Sequence, residues 1–346
     1  MMQILFESSK RSIFTVMNAI SISCASDEAY YCGLLVTLHS LVSHAKEGSR
    51  LVCHVLDTGL SENSKADLNC RLSSIKGRSI NVVFHTVDVS LFENLPEWRG
   101  SHTAYGRLLL HDILKDEDYT IYTDVDTLWL RDVSELWAMR AEVSVLAAVP
   151  DGSGLMELSS GKDRSCEFSK LGKNVHPEHY YCSGLLLMNL KELRARNFSS
   201  AWRGFIDKYS SIMKFPDQDI YNWFFQPPDV KLLDFKWGEF STVYGERGLQ
   251  EPRVIHYAKQ APWNHKITAV AMLWWRYVRQ NLKRSRFSYA ANWRCFLFSL
   301  LRIPIFFNVI YGMLFLVNKK AYAKRRKAIY ADCLKELSIT VASVRS

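Results

Sequence analysis

The sequence predicts an α/β protein with helices on both faces of a parallel sheet, and three observations predict it. Short apolar runs of strand length alternate with helical stretches through the first half of the 346-residue chain. Two of those runs end in acidic residues, at the strand end where open α/β sheets bind ligands. Composition is that of an ordinary globular protein, rich in aromatics, with no internal repeat and no low-complexity tract.

AISISCA (19–25) reads as a buried first strand, and YCGLLVTLHSLVSHA (31–45) as the helix after it. Lys10, Arg11 and SIFTVMNAISISCAS imitate a secretory leader. Asn and Ser break that apolar run, and cleavage there would remove the strand, so the strand is the preferred reading. RLVCHVLDTGLS (50–61) gives a second strand and its turn. ENSKADLNCRLSSIKG (62–77) is an amphipathic helix ended by Gly77, and INVVFHTVDV (80–89) is a third strand. SHTAYGRLLLHDIL (101–114) reads as a helix leading into a further strand, and EVSVLAAVPD (142–151) as a strand that closes on Asp151. The second half is less regular. YYCSGLLLMNLKELRA (180–195) is a strand running into a helix, FPDQDIYNWFF (215–225) a turn opening a helix, and VIHYAKQAPWNH (254–265) a strand followed by a Pro-containing loop.

The stretch YTIYTDVDTLWLRDVSELW (119–137) carries the sharpest chemical signal. Strand positions i and i+2 share a face, so Asp124 and Asp126 would leave the strand together on one side. Two adjacent carboxylates repel unless a cation lies between them, and a hard divalent ion with oxygen ligands meets that need. The structural alternative is a polar turn that caps the following helix.

The formal charge of +9 is an unequal average. Residues 276–346 hold fifteen Lys/Arg against two acids, a local +13, which leaves residues 1–275 at −4. The basic charge brackets FLFSLLRIPIFFNVIYGMLFLV (296–317), long enough to span a bilayer but interrupted by Arg302, Pro304 and Asn308. An interfacial segment on anionic membrane fits that pattern, with Trp293 and Tyr311 at headgroup level, and is preferred to nucleic acid as the partner of the basic charge. A buried helix pair is the structural alternative. The eight cysteines, at 24, 32, 53, 70, 166, 182, 295 and 333, form no CxxC pair and no zinc-like spacing, which suits a reducing compartment.

The order of these segments over residues 19–265 resembles the retaining glycosyltransferases of family 8, among them the bacterial galactosyl- and glucosyltransferases of lipopolysaccharide synthesis. The resemblance implies a GT-A-like nucleotide-sugar-binding domain, a Rossmann-like mixed sheet, over 1–270; the charge and apolar run beyond it read as a basic, helical, membrane-associating tail over 271–346. The resemblance makes Asp124-Val125-Asp126 the family's DxD, whose carboxylates bind Mn²⁺ (or Mg²⁺), with His256 as third protein ligand. Asp27, Glu28 and Tyr30, in ASDEAYY, take the uridine-binding places; the structural alternative for this stretch is a strand-end N-cap for the helix that follows. Arg107, in AYGRLLL, takes the place of the arginine that reaches phosphate and donor sugar; the alternative is an exposed helix arginine. Asp151 matches an acid that contacts the bound sugars. In FPDQDIYN, Asp217 would hold donor-sugar hydroxyls and Gln218 would lie beneath the anomeric carbon.

Two segments depart from the family pattern. Cys182, Ser183 and Gly184 stand where many relatives have Asn-Ala-Gly, and Gly184 alone keeps its type. HYAKQAPW (256–263) is one residue shorter than the relatives' HxxGxxKPW and lacks the glycine, with Lys259 shifted towards the histidine.

The implied reaction is transfer of a hexose from UDP-galactose or UDP-glucose to a hydroxyl of a glycan or glycolipid, with retention of configuration, in bacterial surface polysaccharide or lipopolysaccharide synthesis. The cysteine usage and the basic tail give the expected location as the cytoplasm, peripheral on the inner face of the cytoplasmic membrane. Retention is expected through a front-face mechanism, with double displacement on Asp217 or Asp219 as the alternative. The competing functions are a membrane-associated nucleotide-sugar binder without turnover and a metal-dependent nucleotidyl- or phosphotransferase. The absence of a phosphate-cradling glycine loop disfavours the last.

Overall fold

Strand β1 (Ile20–Ser26) is an interior strand of the seven-stranded sheet, and all seven of its residues are buried. Its buried hydroxyls are satisfied across the sheet: Ser21 Oγ donates to Thr120 Oγ1 at 3.1 Å, and Thr120 Oγ1 to Ser23 Oγ at 3.2 Å. The structure is a computed structural model that describes residues 19–97, 100–151, 179–210, 213, 215–240, 251–258, 261–264, 269–283 and 285–301. The chain divides into two compact units, one of residues 1–240 with 249–256 and the other of residues 241–248 with 257–346.

The first unit is built on β1, β2 (Arg50–Asp57), β3 (Ser79–Thr86), β4 (Tyr119–Thr123), β5 (Thr127–Trp129), β6 (Leu146–Pro150), β7 (Tyr181–Asn189), β8 (Val230–Leu232), β9 (Glu239–Phe240) and β10 (Val254–His256). Its α-helices are α1 (Tyr31–His44), α2 (Glu62–Ser73), α3 (Leu110–Ile113), α4 (Ser134–Ala138), α5 (Leu190–Ala195), α6 (Phe198–Tyr209) and α7 (Pro216–Phe224). The main sheet has the order β3-β2-β1-β4-β7-β6-β8, and β5, β10 and β9 form a second, three-stranded sheet. This is a mixed α/β architecture.

The expected parallel sheet holds for β3, β2, β1 and β4 and fails at β7, which runs antiparallel to both β4 and β6. Eight of the nine β7 residues are buried. A continuous apolar run reports burial on both faces of a sheet, the usual mark of a parallel strand, and carries no information on direction.

The expected helix over 101–114 is a 3₁₀ segment, Thr103–Leu109, followed by the single turn of α3. Tyr105, Gly106, Arg107, Leu108 and Leu109 are all buried, so the segment lacks the solvent face that an amphipathic helix keeps. Helix α2 stops at Ser73, short of Gly77, and Gly77 instead makes the turn into β3 at φ +78°. Strand β6 starts at Leu146, later than expected, because Met139–Glu142 forms a 3₁₀ turn.

In the second unit, α8 (Ala269–Asn281) and α9 (Ser288–Leu301) pack together, and α8 carries an indole cluster. Trp274 is fully buried and meets Trp275 edge-on at 4.8 Å and Trp263 at 5.6 Å. Trp275 Nε1 donates to the Pro262 carbonyl at 2.9 Å, and the Arg294 guanidinium of α9 lies 4.7 Å over the Trp275 ring. The opposite face of α9 is exposed and aromatic: Tyr289, Trp293 and Phe296, at positions i, i+4 and i+7, are 83%, 53% and 52% exposed. Among the described residues no helix is long and apolar enough to cross a membrane. Of the apolar run 296–317, only 296–301 fall within them, as the end of α9; Arg302, Pro304, Asn308 and Tyr311 lie outside, as does Lys259.

Candidate active site and metal centre

The two aspartates follow β4 directly. Asp124 N donates to the Gly184 carbonyl of β7 at 2.7 Å, which continues the β4–β7 ladder by one bond. Thr37 of α1 holds the turn from behind, its hydroxyl lying 3.0 Å from the Val125 carbonyl and 2.8 Å from the Thr127 carbonyl. Val125 therefore serves the turn's shape: its side chain is buried and its carbonyl is held by Thr37.

Strand β5 begins immediately after Asp126, and β10 pairs with it antiparallel in the register His256↔Thr127. That register sets His256 beside Asp126. His256 Nε2 lies 3.1 Å from Asp126 Oδ1 and 3.6 Å from Asp124 Oδ2, so one nitrogen and two carboxylates converge within 4.8 Å. Burial alone would lower the His256 pKa, but the Asp126 carboxylate and Cys182 push it well above the ordinary imidazole value.

Gly184 makes the cradle possible. A Cβ built there would stand 2.2 Å from His256 Cε1, 2.8 Å from Asp124 Oδ2 and 2.9 Å from His256 Nε2. Two hard oxygen donors, one imidazole and a backbone that leaves room between them fit a divalent cation.

Arg107 organises the other side. It is 4% exposed, which overturns the reading of an exposed helix arginine. Its Nη2 donates to Asp124 Oδ1 at 2.8 Å, and Nη1 to the Ser183 carbonyl at 2.7 Å and to Ser183 Oγ at 3.0 Å. Nε donates to the Ala104 carbonyl at 3.0 Å and lies 3.1 Å from Asp217 Oδ2 as an ionic neighbour. The guanidinium also stacks 4.4 Å over the Tyr122 ring, whose hydroxyl donates to Asp124 Oδ1 at 3.0 Å. Asp124 thus has one oxygen tied by Arg107 and Tyr122 while the other turns towards His256. Burial would lower the Arg107 pKa, yet Asp124 and Asp217 raise it above even the usual guanidinium value. Burial raises that of Asp217, against the pull of Arg107.

Helix α7 supplies two stripes, each one turn apart. Asp217 and Tyr221 face Arg107, with Tyr221 Oη donating to the Arg107 carbonyl at 3.1 Å. Gln218 and Asn222 face β7. The fully buried Asn222 amide accepts from Tyr181 N at 3.0 Å and donates to the Tyr181 carbonyl at 2.8 Å, as a neighbouring strand would. That clamp fixes Gln218 one turn earlier. Gln218 Oε1 accepts from Ser183 N at 3.2 Å, and Nε2 donates to Asp151 Oδ2 at 3.0 Å. The amide orientation is dictated by its partners, since a backbone N–H requires an acceptor and a carboxylate a donor.

Asp219 has a different task. Its carboxylate accepts from Phe215 N at 2.9 Å and from Tyr180 Oη at 2.6 Å, holding the helix start.

At the end of β1, Asp27 Oδ1 accepts from Tyr30 N at 3.0 Å and caps a 3₁₀ turn. Glu28 reaches the start of α2, accepting from Ser61 N at 3.0 Å and Ser64 Oγ at 2.9 Å. Both carboxylates therefore have structural work, and with Tyr30 they follow β1 as Asp124 follows the parallel β4. Sequence reasoning missed Tyr180, Asn222 and Thr37. Asn222 stood in the quoted FPDQDIYN, four residues after Gln218, and that spacing was the available signal.

Comparison with known proteins agrees with this arrangement. A Haemophilus influenzae protein named as a glycosyltransferase is 29% identical over 205 residues, which is 59% of this chain and 58% of that protein's length. The alignment with that relative thus spans less than two thirds of it. General stress protein A of Bacillus subtilis is 25% identical over 266 residues, covering 70% of this chain and 86% of that one. Among solved structures, the galactosyltransferase LgtC in complex with donor and acceptor sugar analogues superposes with a TM-score of 0.65 at 24% identity, over 79% of this chain and all of that one. An active-site mutant of LgtC gives 0.67 at 22% identity over the same shares. The fold is thus the GT-A fold of LgtC. The profile described as "Glycosyl transferase family 8" matches residues 21–267, and the chain belongs to that family of glycosyltransferases.

Proposed function

We propose that the protein transfers a hexose, galactose or glucose, from a UDP-sugar to a hydroxyl of a glycan or glycolipid with retention of configuration, in the synthesis of a bacterial surface polysaccharide or lipopolysaccharide. One observation carries the reading: Asp124, Asp126 and His256 converge around Gly184 while Arg107, Asp217, Gln218 and Asp151 close a buried polar network against the same strand, β7. A divalent cation held by Asp124, Asp126 and His256, Mn²⁺ or Mg²⁺ by its oxygen-rich donor set, supplies charge neutralisation for the diphosphate of the donor.

The chain's own residues do the rest. Arg107 fixes Asp124 and keeps a positive charge beside the site. Asp217 Oδ2 is buried, with the Arg107 guanidinium as its ionic neighbour at 3.1 Å, and accepts from a donor-sugar hydroxyl. Gln218 Oε1 has one lone pair engaged by Ser183 N and turns the other towards the anomeric carbon, where positive charge develops. In the transfer the bond from anomeric carbon to phosphate oxygen breaks, and a bond to the acceptor oxygen forms on the same face. The acceptor proton passes to the departing phosphate oxygen.

Incubation of the purified chain with Mn²⁺ and a panel of nucleotide sugars tests this reading. UDP release is expected from UDP-galactose or UDP-glucose, slowly with water as acceptor, and none in EDTA. Equal turnover of a nucleoside triphosphate, or EDTA-resistant transfer, would contradict it.

We propose further that the second unit holds the enzyme peripherally on the inner face of the cytoplasmic membrane. The exposed Tyr289, Trp293 and Phe296 stripe supports this, as does the basic pocket of about 480 Å³ lined by Arg279, Gln280, Lys283, Ser288 and Asn292. Sedimentation with phosphatidylglycerol vesicles is expected at low salt, with partial release at 1 M salt because screening removes charge attraction and leaves aromatic insertion. Equal binding to neutral vesicles at both salt levels would contradict the electrostatic part.

A further inference from the structure

The metal-facing histidine has a second ring nitrogen, and a cysteine sulfur lies against it. His256 Nδ1 lies 3.8 Å from the sulfur of Cys182, and both side chains are buried, at 4% and 8% exposure. Cys182 is the second residue of β7, two before Gly184, so the strand that leaves room for the cation also delivers the sulfur. The Gly184 amide donates to that sulfur at 3.4 Å, fixing it from the strand side. An imidazole that ligates a cation through Nε2 must carry its proton on Nδ1, and the group that accepts this proton sets both tautomer and ring orientation. Sulfur is a weak but competent acceptor for such an N–H.

We propose that Cys182 is a positioning residue for the metal centre: its sulfur accepts from His256 Nδ1–H, which aims the Nε2 lone pair at the space between Asp124 and Asp126. The inference rests on the reading of Asp124, Asp126 and His256 as a cation site. It assigns a purpose to a cysteine that stands where the sequence departs from the pattern it otherwise resembles, and it places Cys182 beside the cation's ligand rather than among the ligands.

The experiment is Mn²⁺ binding to the full-length protein, followed by the electron paramagnetic resonance signal of free Mn²⁺, for the wild type, Asp126→Ala, Cys182→Ala and Cys182→Ser. Removal of a group that supports a metal ligand weakens affinity about 10- to 100-fold, and Cys182→Ala is expected to fall in that range. Cys182→Ser, whose hydroxyl also accepts, should recover to within about threefold of the wild type, on the same principle. Packing alone predicts the opposite order, because a buried serine without a partner is less favourable than alanine. Circular dichroism of each variant shows whether the fold persists, and the serine variant keeps the test decisive if alanine does not fold. Wild-type affinity in Cys182→Ala, or serine no better than alanine, overturns the role of Cys182 while leaving the metal centre in place. Absence of Mn²⁺ binding in the wild type, or undiminished binding in Asp126→Ala, removes the metal centre and the inference with it.

Discussion

Asp126→Ala is expected to reduce transfer from the UDP-hexose by about 10³-fold or more, the equivalent of several kcal/mol of transition-state charge stabilisation. The fold should survive. Asp126 and Asp124 repel one another without an ion, and the His256 imidazole can release its proton once its carboxylate partner is gone, so no charge is left stranded. A melting temperature within a few degrees of the wild type is therefore expected alongside the lost activity. Gly184→Ala should reach the same loss by geometry. Its Cβ would sit 2.2 Å from His256 Cε1 and 2.8 Å from Asp124 Oδ2, so ring and carboxylate must both move out of the cradle. Steady-state kinetics with saturating Mn²⁺ measures both variants. Retention of a tenth of wild-type turnover by either one would mean that this cluster is not the metal centre.

Arg107→Ala should cost both stability and activity. The side chain is 4% exposed and pairs with two carboxylates, Asp124 at 2.8 Å and Asp217 at 3.1 Å. Removing one partner of a buried ion pair costs about 3–5 kcal/mol because the remaining charge is uncompensated. For a domain of this size that corresponds to a fall in melting temperature of roughly 10 °C. Arg107→Lys should rescue little. The guanidinium serves Asp124 through Nη2, Ser183 through Nη1 and Ala104 through Nε, a planar fork that one ammonium cannot reproduce. Calorimetry and kinetics on both variants test this. A lysine variant with wild-type melting and turnover would contradict the view that the fork holds Asp124 in place.

What was legible in the sequence follows the physics of each signal. Strand positions came from apolar runs, so β1, β2, β3, β4, β7 and β10 fell where expected, while the direction of β7 did not follow from its burial. The DxD pair was legible because two carboxylates at i and i+2 are costly without a purpose, and the structure sets them where a strand ends. His256 could be placed only through the family resemblance. Its approach to Asp126 depends on β5 and β10, three residues each, too short for a periodic signal. Arg107 could be placed at the site only through the family resemblance; by residue type the alternative was an exposed arginine, since arginine is rarely buried without partners, and its partners lie 17, 76 and 110 residues away. Glu28 shows the reverse: a residue expected at the nucleotide also caps a neighbouring helix through Ser61 and Ser64.

The most direct measurement of the central claim is proton NMR of the product formed from a UDP-α-hexose by the full-length protein with Mn²⁺, recorded as it accumulates. The proposed retaining transfer, which rests on the resemblance of the Asp217-Gln218-Asp219 segment to the retaining family, predicts an α-configured glycoside, recognised by the small coupling of its anomeric proton. A β-configured product would contradict retaining transfer at this site, and so would the absence of product from every UDP-hexose tried with a glycan acceptor.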